Sequence, residues 1–207
     1  MRKFFGVSVV LACSGLAYGQ VWNEGPDAGQ NGIGAAQMPV GGGLLTQIIG
    51  SLSTNNDVDL FGPIVIVDPV GFLADTRGGA SFDTQLFLFD AAGLGVVHND
   101  DFGGLQSAIT GQAGFGPGQY YLGISSFNAD PRDGGGGAIF GFSTFSGPDP
   151  QQRRPNAGAG ALATWSTSGF SSGRYTISLR GVEFVPGPSA LSLLGLGGLI
   201  AMRRRRG

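Results

Sequence analysis

Sulfur, imidazole and charge are all scarce in this chain of 207 residues. Its one cysteine, Cys13, stands in the N-terminal segment. The body beyond it therefore has no disulfide, no thiolate nucleophile and no cysteine metal site. Its one histidine, His98, cannot supply the three-ligand set that zinc catalysis normally uses. A catalytic base also needs a nucleophile within reach and a third group to orient it, so His98 reads as a surface residue or a core-edge donor. Only 13% of the residues are charged, about half the usual share. Helical runs are missing as well: no window of a dozen residues in the body keeps a helical period free of glycine and proline.

What is abundant points to short strands and tight turns. The chain holds 40 glycines and 15 phenylalanines, far from a helical composition. Its formal net charge of −2 hides an uneven distribution. Arg2 and Lys3 open the chain and Arg203, Arg204, Arg205 and Arg206 close it. Between these ends stand six arginines, no lysine and all 14 acidic residues, a balance of −8. A body this acidic repels phosphate backbones, which argues against nucleic acid as a partner. It suits solubility or cation binding.

Both ends read as addresses. Met1-Arg2-Lys3, the apolar stretch Phe4 to Leu16 and the small residues of Ala17-Tyr18-Gly19 compose a signal peptide over 1–19. Signal peptidase would leave Gln20 as the mature start. Val10-Leu11-Ala12-Cys13 offers the alternative of a lipid-attachment box, at the expense of a very short apolar run. At the other end, Pro186-Gly187-Pro188 precedes a 14-residue apolar run, Ser189 to Met202, and then the arginines. As a helix that run spans about 21 Å at ~1.5 Å per residue, against a hydrocarbon core of about 30 Å. The arginines would stay cytoplasmic. A plain membrane anchor is the simpler alternative.

The order of proline motif, short apolar helix and arginine cluster at the terminus resembles the PEP-CTERM sorting signal of Gram-negative bacteria. Gly187 stands here where the name-giving motif has Glu. The resemblance implies an exosortase-type enzyme that cuts near Pro186-Gly187-Pro188. The body would then be transiently anchored in the inner membrane and finally placed at the cell surface or outside it.

Between the addresses, residues 20–185 form one domain. Leu44 to Leu52, Val58 to Phe61, Ile64 to Val67, Thr84 to Phe89, Gly95 to His98, Tyr120 to Ser125, Ala138 to Phe142 and Arg174 to Val182 read as strands. Pro63 marks an edge or a bulge, and Asp90-Ala91-Ala92-Gly93 a turn. In the last strand Tyr175, Ile177 and Leu179 share one face. Gln20 to Gly43 reads as an ordered edge at best, Asp133 to Gly137 as a flexible turn and Gly147 to Gly160 as a long surface loop. The expectation is an all-β fold, an antiparallel β-sandwich.

Five elements recur in order: Asn56 to Phe61, Phe82 to Asp90 with Gly93, Asn99-Asp100-Asp101, Gly118 to Leu122, and Gly173 to Ile177. Together they resemble the bacterial pre-peptidase C-terminal domain family, which implies a jelly-roll-like sandwich over about Asp57 to Leu179. No protease domain precedes it here.

The acidic positions are the chemically suggestive set. Asp57 and Asp59 fall two apart on one strand face. Asp83, Asn99, Asp100 and Asp101 gather oxygens around the next strands. Calcium takes six to eight such ligands, and these six residues are its candidate ligands. Turn capping, in which Asn and Asp bond nearby backbone, is the competing reading. Asp100 and Asp101 are poorly arranged for glycoside hydrolysis, because adjacent strand residues point to opposite faces. Trp22, Trp165, Tyr120 and Tyr121 belong to the core or to a sugar-stacking platform, with Trp165 the best exposed candidate. The leading expectation is a non-catalytic surface or extracellular-matrix protein, with calcium stiffening of the sandwich as an option behind turn capping. A module binding polysaccharide or protein is the alternative, and a cryptic hydrolase comes third.

Overall fold

The computed structural model describes residues 18–144 and 152–186. Residues 1–17, where a signal peptide is expected, and the expected sorting tail from Gly187 onward, with Pro188 and Arg203 to Arg206, lie outside the described residues, as does 145–151. Among the described residues no helix is long and apolar enough to cross a membrane.

The chain is all-β. Its strands run β1 (Gln20–Asn23), β2 (Leu45–Leu52), β3 (Val58–Ile66), β4 (Leu73–Asp75) and β5 (Thr84–Asp90). They continue as β6 (Gly95–Asn99), β7 (Ala108–Thr110), β8 (Gly118–Ser126), β9 (Pro131–Asp133) and β10 (Phe140–Thr144). The last four are β11 (Gln152–Pro155), β12 (Leu162–Trp165), β13 (Gly173–Arg180) and β14 (Val182–Phe184). One sheet has the order β1-β2-β13-β4-β7, the other β10-β11-β6-β5-β8-β3-β14, and β12 pairs with β9 apart from both. Neighbours are antiparallel except β1 and β2, which run parallel.

Period-two alternation explains how the two large sheets pack. On β13, Tyr175, Ile177 and Leu179 are buried and Arg180 is exposed. They meet Leu45 and Ile48 of β2 and, from the seven-stranded sheet, Phe61, Ile64, Leu86, Leu88, Leu122 and Ile124 in one core. This is a sandwich-like arrangement. Strand β5 departs from alternation because it is covered on both faces. Leu86 and Leu88 enter the first core, while Phe87 and Phe89 enter a second one with Val58, Leu60, Ile139, Leu162 and Trp165. The β9–β12 pair forms the lid of that second core, a third layer the sequence pattern does not announce. Each such side chain contributes roughly 1.5–3 kcal/mol when fully buried.

Several local expectations are met in detail. The Asp90 turn joins β5 to β6 as an antiparallel hairpin. A register shift lies between Phe61 and Ile64, around a cis Gly62–Pro63 peptide, so Pro63 marks a bulge inside β3. Residues 20–43 carry edge strand β1 and a parallel bridge from Gln37 to Phe61. The Asp133 turn, expected to be flexible, is instead tied down: its Oδ1 accepts from the N–H of Gly135 and Gly137, and its Oδ2 from that of Gly160.

Two expectations need correction. The stretch 147–160 is not all surface loop, for β11 lies within it, pairing with both β6 and β10, and Gln152 is fully buried. Arg174 to Val182 is not one strand either. The chain crosses from one sheet to the other at Gly181, whose φ of 73° suits glycine. A Cβ there would sit 2.5 Å from the Asp68 carbonyl oxygen. Gly181→Ala is therefore expected to destabilise the fold by at least about 1–2 kcal/mol from backbone strain alone, read as a lower urea midpoint with an unchanged slope.

Candidate metal centres

The six candidate ligands do not converge on one point. Asp59 joins one group of carboxylates and Asp83, Asp100 and Asp101 make another. Asp57 and Asn99 are occupied with backbone, as the turn-capping alternative has it. An Asp57 oxygen accepts the Ser53 N–H. Asn99 is fully buried; its Oδ1 accepts the Ala108 N–H at 2.8 Å and its Nδ2 donates to the Asp101 carbonyl at 3.2 Å.

The first group is built around β3. Asp59 shares a strand face with Phe61, so its side chain enters the space between the sheets and is fully buried there. Tyr175, reaching across from β13, donates its hydroxyl to Asp59 Oδ2 at 2.6 Å. Gly50 makes that approach possible: a Cβ would overlap the Tyr175 hydroxyl and lie 2.7 Å from Glu24 Oε2. Glu24 follows β1 and accepts the N–H of Ala28 and of Ser51, both at 2.9 Å. One carboxylate oxygen from each of Glu24, Asp27 and Asp59 lies within 4.8 Å of the others.

Asp59 Oδ1 is buried without a hydrogen-bond partner. Such an atom is costly to leave bare. Burial pushes the Asp59 carboxyl up to about 9; the Tyr175 hydrogen bond opposes the rise, and the charges of Glu24, Asp57 and Asp27 add to it. Burial, reinforced by the charge of Asp59, raises the Tyr175 hydroxyl as well. Asp27 is raised by burial and by Asp57. Three carboxylates that repel one another around a bare buried oxygen match the donor set of a hard dication. Calcium binds such oxygens at about 2.3–2.6 Å, and backbone carbonyls or water complete its shell. Each carboxylate oxygen already holding an N–H keeps a second lone pair for the ion.

The second group lies where β5 begins and β6 ends. Asp83 Oδ1 and Asp100 Oδ1 are buried and unpartnered. Burial and the neighbouring Asp101 raise Asp83. Asp100 is pushed up to about 7 by burial, then by Asp101 and Asp83, with Arg153 opposing. All three residues of this group are half-buried, whereas in the first group Asp59 is fully buried, Glu24 half-buried and Asp27 exposed.

Glu24 and Asp27 were not singled out from the sequence. Their signal, two acids three residues apart in a segment with little period, gains meaning only when β1 docks beside Asp59. Trp165 belongs to the core rather than to an exposed platform: it is 7% exposed, packs edge-on against Phe87 at 5.1 Å and donates its Nε1–H to the Gln30 carbonyl. His98 is corrected from the surface to the interior. It stacks on Phe87 at 4.4 Å, and burial followed by the Arg153 charge pushes its pKa down to about 3.

Gly169-Phe170-Ser171-Ser172-Gly173 fits the Gly-x-Ser-x-Gly pattern that presents a hydrolase nucleophile on a strand-to-helix turn. Here it leads into strand β13 instead. Ser171 Oγ has no hydrogen-bond partner, and the side chain bonded to His98 is Gln85. No protein-family model, no curated protein and no solved structure matches this chain.

Proposed function

We propose that this chain is an exported, non-catalytic surface or matrix module whose jelly-roll-like domain is held together by calcium. The observation that carries the reading is Asp59: fully buried, one oxygen bare, and faced by Glu24 and Asp27. Extracellular calcium modules work with dissociation constants of about 10⁻⁴–10⁻³ M, a range matched to calcium outside the cell. A site with this donor set fits export.

The ends carry the remainder of the proposal. The chain is read as a PEP-CTERM substrate whose body is a pre-peptidase C-terminal domain, in surroundings of extracellular polysaccharide. The mature start at Gln20 agrees with the fold, because Gln20 opens β1 and its N–H donates to the Leu44 carbonyl at 2.8 Å. Strand β14 ends at Phe184, just before Pro186. Cleavage at either place leaves every described strand whole.

Expression of the full chain in a bacterium that carries an exosortase tests the sorting reading. Mass spectrometry of the surface or medium fraction is expected to find an N-terminus at Gln20 and a C-terminus near Pro186-Gly187-Pro188. Recovery of the intact chain from the cytosol sinks it.

A further inference from the structure

Beside the second core lies a pocket of about 300 Å³, apart from the Asp59 group and sharing only Asp100 with the second carboxylate group. It opens on the outer face of the seven-stranded sheet. Gln85 of β5, His98 of β6 and Arg153 of β11 meet there with Asp100, and the β8–β9 connection adds Asn128 and Asp130. Phe127 and Phe140 supply apolar wall.

Its hydrogen-bonding state is specific. Gln85 Nε2 stands 3.4 Å from Asp130 Oδ1 and 3.4 Å from His98 Nε2. A carboxylate only accepts, so the amide nitrogen is correctly placed toward it, and His98 Nε2 accepts as well. The neutral ring then carries its proton on Nδ1. His98 Nδ1 and Asp100 Oδ1 are buried without a partner and are not reached from the cavity. The polar wall is made by the amides of Gln85 and Asn128 and by charges of both signs, Asp130 and Arg153.

Ligand charge is constrained by the same wall. An anion would face Asp130, and an ammonium group would face Arg153. A hydroxyl donates and accepts, and so suits a wall that carries both signs. Of the lining residues, Phe127 is 40% exposed and tilts against Phe170, which lies outside the lining and is 72% exposed, with ring centroids 5.7 Å apart. Two phenylalanines left in water form an apolar platform that the fold itself does not bury.

We propose that this pocket binds a neutral saccharide unit. The aromatic pair takes the C–H face of a pyranose, and the mixed-sign polar wall takes its hydroxyls. The volume sits at the small end of the range of about 300–1,000 Å³ for ligand pockets, which suits one sugar residue or a chain end. The inference rests on the extracellular reading only for the source of the sugar, and it needs no ion at Asp59.

The test is a titration of the full chain with methyl glucosides, methyl galactosides and N-acetylglucosamine oligomers, followed by saturation-transfer NMR and calorimetry. Glucuronic acid and glucosamine serve as charged controls. At least one neutral sugar is expected to bind with a dissociation constant of about 1 mM or tighter. Phe127→Ala and Asp130→Asn should each weaken it tenfold or more at an unchanged melting temperature. Leu105→Ala, an exposed apolar residue that does not line the pocket, should leave it as it was. Absence of binding by every neutral sugar, stronger binding by either charged control, or full affinity in both pocket variants overturns the proposal. None of these outcomes alters the calcium response, so the two readings fail separately.

Discussion

Removing calcium with a chelator is expected to lower the melting temperature by roughly 5–10 °C, and added calcium to restore it. An ion held at 100 times its dissociation constant stabilises the native state by about 2.7 kcal/mol. For a domain of this size each kcal/mol moves the midpoint by about 2–4 °C. The structural source is local: the ion would tie Glu24 and Asp27 of the N-terminal segment to Asp59 of β3, beside Ser51 of β2 and Tyr175 of β13. One ion thereby links both sheets and the edge strand. Asp59→Asn should abolish the response, because an amide cannot donate a full negative charge to the ion. Asp101→Asn, in the other carboxylate group, should retain it. A melting curve indifferent to chelator and calcium removes the metal from the account.

Without calcium, stability should fall as pH rises from about 4 to about 9. Asp59 is raised to about 9 by burial, and Asp100 to about 7 by burial and its acidic neighbours. An unfolded aspartate releases its proton near pH 3.9. Across that interval the native protein holds protons that the unfolded chain has lost, so the slope of stability with pH is negative. These groups contribute fully below about pH 4; Asp100 loses its contribution as pH passes about 7, and Asp59 as it passes about 9. For one proton so held, the folding equilibrium shifts by up to about tenfold per pH unit. Two groups have the opposite sign. Asp133, its carboxyl lowered chiefly by the Gly160 N–H, acts only at the acid end. His98, pushed down to about 3 by burial, offsets one of the two aspartates up to about pH 6.5.

Calcium reverses the trend by displacing the Asp59 proton, since a metal ligand must be deprotonated. Near pH 7.5, binding should release close to one proton, which calorimetry in buffers of different ionisation enthalpy measures directly. Asp59→Asn should remove the release and flatten the upper part of the pH profile. Binding heats that do not vary with the buffer contradict a protonated Asp59.

Legibility in the sequence followed element length and contact range. Strands β2, β3, β5, β8 and β13 are long enough to show alternation, and the β5–β6 hairpin announces itself through the Asp90 turn. Strands β4, β7, β9 and β14 have three residues each, too few to display a period. β11 was hidden among prolines and arginines. The acidic set was visible as composition, but its division into two groups was not. Asp57 and Asn99 looked like ligands because a sequence does not show whether a carboxylate or amide is already spent on a nearby N–H.

By itself the sequence determined the all-β class and the acidic body without cysteine, because composition and alternation are local properties of the chain. Tertiary structure alone decided that Glu24 and Asp27 meet Asp59, that β5 is covered on both faces, and that His98 and Trp165 lie inside. Those facts depend on which strands become neighbours, and neighbours in a sheet are set by pairing and packing between residues far apart along the chain.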